Sequence, residues 1–184
     1  MHPQLKQRLI KAATAGATTL VLAGVFTGWF EGTGPTVKQK DGSVLYRPYV
    51  DPVGVLTVCR GVTAASGYTI NKSKLYTEAE CHDMEQKALD IAERGARAII
   101  THYDSYDKWM QVALISFTYN FGTVKLAGST MAKLLNGGQY EAGCRELDKW
   151  VKGRVKGQLQ DMPGLVLRRD AEEELCMVQG GTLK

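Results

Sequence analysis

Three side chains stand at a spacing with chemical consequences: Glu31, Asp51 and Thr57. Between the two carboxylates runs Val37 to Tyr46, which reads as a hairpin with Lys40-Asp41-Gly42 as its turn. The ends of a hairpin return to nearly the same place, so Glu31 and Asp51 can be neighbours despite the chain between them. If Asp51 closes a turn and Thr57 lies on the next strand, antiparallel pairing aims both at one water. A carboxylic acid that protonates a leaving oxygen, with a carboxylate and a hydroxyl holding water on the opposite face of a sugar, is what an inverting glycosidase needs. On spacing alone the signal is weak, because most glutamates and aspartates are merely solvated.

The elements that must hold these residues fall into a strand-rich and a helix-rich part. Val53 to Cys59 is a β-branched run, and Pro48, Pro52, Gly54, Gly61 and Gly67 impose short strands and tight turns. From Thr77 the pattern becomes helical. Thr77 and Glu80 form a capping box, and Met84, Ala88, Ile91, Ala92 and Ile99 follow on one face. Ser105 can cap the next helix, with Trp109, Val112, Ala113 and Phe117 inward and Gly122 as its stop. Ser129 to Leu135, Tyr140 to Val151 and Leu165 to Met177 complete the helices. Many helices after a small β region predict an α+β fold, with a small β-rich lobe and a larger helical lobe flanking a cleft.

Composition narrows the partners. A chain of 184 residues with 44% apolar content can bury one sizeable core, and its formal charge of +4 suits an acidic polymer. No basic run is interleaved with aromatics and no zinc-finger spacing occurs, so nucleic acid is not an expected partner. Lys6, Arg8 and Lys11 precede a charge-free stretch from Ala12 to Phe30. As one helix it would be about 28 Å long, near the thickness of a bilayer core. Its threonines and glycines make it weakly apolar, leaving three readings open: an uncleaved membrane-targeting helix, a cleaved signal peptide and a buried core helix. Cys59, Cys81, Cys144 and Cys176 form an even set without metal-type spacing. Pairing by locality joins Cys59 to Cys81 and Cys144 to Cys176 in an oxidising compartment; four free thiols are the alternative.

Glu31-Gly32 and Tyr49-x-Asp51-x-x-Gly54-x-x-Thr57-x-Cys59-x-Gly61 are followed by further motifs in order. These are Tyr76-Thr77-x-x-Glu80-Cys81, Phe117-x-Tyr119-Asn120-x-Gly122, Ser129-Thr130 and Gly164-Leu165-x-x-Arg168-Arg169. From Glu31 to Cys176 the chain resembles the phage-type lysozymes, glycoside hydrolase family 24, and with its weak amino-terminal helix it is similar to lambdoid-phage endolysins carrying signal-arrest-release anchors. The resemblance implies a lysozyme-like fold, with a targeting helix over residues 1–30 and a catalytic domain over 31–178 divided near residue 75. It implies Glu31 as acid, Asp51 and Thr57 as the water-holding pair, and hydrolysis between N-acetylmuramic acid and N-acetylglucosamine without metal or cofactor. It also implies peptidoglycan glycan strands as substrate, the host secretion machinery and inner membrane as partners of residues 1–30, and a tethered enzyme later released to the periplasm of a Gram-negative host. A monomer is expected.

Two departures from the family accompany this. Residues 33–48 form an insertion between acid and aspartate, read as a lip that touches glycan through Lys38 and Lys40 or as a solvated turn. Gly61-Val62-Thr63 stands where a Gly-His-Thr is common. Tyr119 and Asn120 are candidates for the cleft wall, and Arg168 and Arg169 either pair with Glu31 or form a solvated face. A lytic transglycosylase and a non-catalytic wall-binding protein are the alternative functions.

Overall fold

Gly16 ends the first helix. α1 (Pro3–Thr14) starts with Pro3 in its first turn, and the His2 ring accepts the Gln4 N–H at 3.2 Å. It stops where Gly16 adopts φ +81, with Ala17 N–H donating to Ala12 O at 3.0 Å and Gly16 N–H to Ala13 O at 3.1 Å. This is a Schellman closure, which needs a left-handed residue that glycine supplies without strain. Thr18 then opens α2 (Thr19–Phe30). The charge-free stretch is therefore not one helix, as expected from its composition, but two pieces broken at residues 15–18. α2 alone measures about 18 Å, and among the described residues no helix is long and apolar enough to cross a membrane. The computed structural model describes all residues except 52, 53, 156, 179 and 184, so Pro52 and Val53 of the expected turn and strand lie outside it.

The chain forms two compact units, Gly28–Ala88 and Met1–Thr27 with Leu89–Lys184. In the first, β1 (Thr36–Lys38) and β2 (Val44–Tyr46) make the expected hairpin. Its turn is held by Asp41, whose Oδ1 accepts both the N–H and the hydroxyl of Ser43 at 2.9 and 2.7 Å. β3 (Tyr49–Val50), β4 (Leu56–Val58) and β5 (Val62–Thr63) form an antiparallel sheet in that order. α3 (Glu78–Ile99) begins at the capping box, with Glu80 N–H on Thr77 Oγ1 at 3.2 Å and Thr77 N–H on Glu80 Oε2 at 2.9 Å. Tyr46, Val58, Val62, Ile70, Tyr76 and Met84 pack around the Cys59–Cys81 disulfide as this unit's core.

The helical unit continues with α4 (Lys108–Phe121), α5 (Thr123–Ala127), α6 (Thr130–Asn136) and α7 (Tyr140–Arg145). Asp107, not Ser105, caps α4: its carboxylate accepts Trp109 N–H at 2.9 Å, while Ser105 closes a 3-10 turn by donating to His102 O at 2.7 Å. Ser129 caps α6 by accepting Ala132 N–H at 3.0 Å. The helix expected to reach Val151 ends at Arg145 and tightens into a 3-10 turn over Glu146–Lys149. β6 (Lys152–Val155) and β7 (Gln158–Asp161) then form a hairpin absent from the sequence reading. α8 (Pro163–Cys176) packs on α4 and is tied to α7 by the Cys144–Cys176 disulfide. Leu5, Leu9, Leu22 and Phe26 of the amino-terminal helices are fully buried here, with Lys6 Nζ 2.7 Å from Glu174 and Thr19 donating to Gln111.

Candidate active site

Asp51 is fixed by its own turn. Its N–H donates to Val55 O at 2.9 Å, its Oδ1 accepts Val55 N–H at 2.8 Å, and its carbonyl accepts Gly54 N–H at 3.0 Å. One carboxylate oxygen thus orients the group, an arrangement to which aspartate is suited by its short side chain. The pairing carries on from there: Val50 faces Leu56, and Tyr49 faces Thr57, which in turn faces Thr63. Directly paired residues share a face of a sheet, so Tyr49, Thr57 and Thr63 lie on one side, with Asp51 in the turn just beyond β3. Thr57 is buried and its hydroxyl donates to Val55 O at 3.1 Å.

Glu31 follows directly on α2 and is half-buried in this same unit. Tyr49 is a half-buried phenol whose pKa is raised first by burial and then by the negative charges of Glu31 and Asp51. Tyr49 belongs to the motif quoted from the sequence, and the structure sets it opposite Thr57, a neighbour the sequence alone does not name. The signal was its position two before Asp51.

Behind the sheet, the β4–β5 turn is fastened on both sides of Arg60. Cys59 is disulfide-bonded to Cys81 of α3, and Arg60 forms ion pairs with Glu78 at 2.7 Å and Glu85 at 3.1 Å. Arg60 also donates to the Tyr46 hydroxyl at 3.1 Å, and that hydroxyl donates to Glu78. The hairpin exit, the sheet and the start of α3 thereby share one polar cluster.

The remaining candidates belong to the helical unit. Arg168 and Arg169 are not a solvated face: both are buried on α8, because Glu172, one turn on, collects them. Glu172 Oε1 lies 3.2 Å from Arg168 Nε and 2.8 Å from Arg169 Nη2, and accepts the Ser116 hydroxyl of α4 at 2.5 Å. Burial pushes the Glu172 carboxyl up, opposed by the two guanidiniums. Arg169 also reaches Asn120 at 3.4 Å and lies over the rings of Phe117 and Phe121. Tyr119 and Asn120 are half-buried on α4. Glu172 went unread in the sequence, although its spacing of three and four from the arginines is that of helical ion pairs. A cavity of about 520 Å³ in this unit is lined by Tyr106, Asp107, Met110, Tyr140 and the Cys144–Cys176 disulfide, and by none of the catalytic candidates.

Solved structures share this architecture. The active form of the P1 phage endolysin Lyz superposes with a TM-score of 0.66 at 22% identity, covering 94% of this chain and 93% of that one. A P22 lysozyme mutant superposes at 0.60 with 19% identity, covering 85% and 95%. The fold is that of the lysozyme-like α+β proteins. The phage lysozyme profile matches residues 38–172, a span that takes in Asp51 and Thr57 and begins after Glu31. The SAR-endolysins of Bacteriophage PS119 and Enterobacteria phage P21 are each 34% identical over 179 residues, covering 96% of this chain and 96% and 98% of theirs. The chain belongs to the phage lysozyme family, and is thus a peptidoglycan-hydrolysing glycosidase.

Proposed function

We propose that the enzyme is an exported endolysin that cleaves the β-1,4 bond between N-acetylmuramic acid and N-acetylglucosamine with inversion. Glu31 protonates the leaving oxygen, and Asp51 with Thr57 holds the water that attacks the opposite face of the sugar. The observation that supports this reading is the β3–β4 pairing, in which Tyr49 faces Thr57 and Asp51 follows in the turn that returns the chain to Val55. No step calls for a metal or organic cofactor. Tyr119, Asn120, Arg168 and Arg169 serve as supporting residues of the helical unit, where the Glu172 cluster keeps the arginines in place.

The relatives' name and the charge-free stretch support a membrane stage for residues 1–30. The host secretion machinery inserts the segment, the catalytic part waits outside the inner membrane, and release lets α1 and α2 fold into the helical unit as a monomeric enzyme. The reaction itself is tested by its products. Digestion of peptidoglycan followed by NMR and mass analysis is expected to give reducing muramic acid ends first formed in the α configuration. Anhydro-muramic ends would make the enzyme a lytic transglycosylase, and a β product would exclude inversion.

A further inference from the structure

Resting on Glu31 as the acid, we propose that the β1–β2 hairpin is a brace that sets the position of Glu31, seated through Gly34 on the ring of Tyr49, and that Gly34 is a positioning residue for the reaction. Three residues after Glu31 the backbone adopts φ +64 at Gly34. A Cβ there would lie 2.8 Å from Cε1 of Tyr49 and 3.1 Å from the carbonyl oxygen of Cys59. The chain leaving Glu31 is therefore pressed against the residue opposite Thr57 and against the end of β4. Only a residue without a side chain fits that seat.

The hairpin's feet are fastened as well. Arg47 N–H donates to Pro35 O at 2.9 Å and closes the base. Tyr46 exchanges backbone hydrogen bonds with Tyr76 at 2.7 and 2.9 Å, and its ring is buried in the core with its hydroxyl on Glu78 and Arg60. Lys38 and Lys40, by contrast, are exposed. A lip that served only to touch glycan would need neither a glycine seat at its entry nor a buried tyrosine at its exit. A brace needs both, because the acid's placement is sensitive to shifts of about 1 Å.

The test compares Gly34→Ala with Gly42→Ala. Gly42, at the hairpin tip, has φ +86, and a Cβ added there would meet nothing within 4 Å. Both variants place alanine at positive φ, but only the first adds a methyl group against Tyr49. With soluble peptidoglycan fragments, Gly34→Ala is expected to lower kcat by about 10- to 100-fold with KM unchanged, while Gly42→Ala matches wild type. If Gly34→Ala does not fold, Tyr46→Phe makes the same comparison, with a smaller loss in kcat alone. Wild-type kcat in Gly34→Ala, or in Tyr46→Phe where that is used, overturns the brace, as do equal losses in the two glycine variants. A rise in KM alone, shared by Lys38→Ala/Lys40→Ala, would make the hairpin a glycan-gripping lip instead. Glu31→Gln is assayed in parallel. Activity retained there refutes the assignment of the acid, whereas its loss beside an unaffected Gly34→Ala refutes the brace alone.

Discussion

Glu172 and Asp51 show two ways in which a carboxylate is held. Asp51 uses one oxygen to lock its own turn on the Val55 N–H, so its placement follows from a few neighbouring residues. That is why Asp51 and Thr57 were legible: the turn, the strand and the separation all lie within one short motif. Glu172 instead accepts from two arginines and a serine of another helix, all of them buried. A sequence read along one face records the arginines but not the serine that arrives from α4. Replacing Glu172 by glutamine removes the negative charge that Glu172 supplies to two buried guanidiniums, and the expected loss of stability is about 3–5 kcal/mol. Chemical denaturation measures it; a loss within about 0.5 kcal/mol, the range of ordinary surface changes, would show that the cluster is not the internal brace of α8.

Some elements set by local chemistry stand where the sequence puts them, while the Gly16 break and the Asp107 cap, equally local, do not. The capping box of α3 and the stop at Gly122 depend on a few adjacent residues and stand where expected. The break at Gly16 is equally local, since a glycine followed by a capping threonine is a stop and a start, but a charge-free composition does not display it. The β6–β7 hairpin had no such signal: β7 is exposed along its length and lacks the alternation that marks a half-buried strand. The capping box also makes a pH prediction. Glu80 is lowered to about 2, first by the Lys74 ammonium and then by the Thr77 N–H. Because the folded value lies below the unfolded one of about 4.3, its contribution is present above that pH and fades as pH falls toward 2. Wild type should therefore be more stable than Glu80→Gln at pH 6, with the gap closing in acid. A gap constant from pH 6 to 2 would contradict this.

At the scale of the molecule, the proposed membrane stage asks residues 1–30 to meet two solvents. Folded, they bury Leu5, Leu9, Leu22 and Phe26 in the helical unit, yet from Ala12 onward they carry no charge. Membrane residence would require the Gly16 break to straighten into one helix. Val21 is 46% exposed on α2, so Val21→Lys should leave folded stability within about 0.5 kcal/mol of wild type. A lysine at a membrane helix centre costs about 2.5–3.5 kcal/mol, so the variant should shift from the membrane to the soluble fraction of expressing cells. An unchanged distribution would remove the membrane stage. The proposed chemistry turns on a narrower point, the assignment of Glu31 as the acid of a glycosidase whose water is held by Asp51 and Thr57. It is tested most directly by turbidity loss of outer-membrane-stripped cells given equal amounts of folded wild type and Glu31→Gln. Rapid clearing by wild type and none above background by the variant is the expected result; equal clearing by both would contradict it.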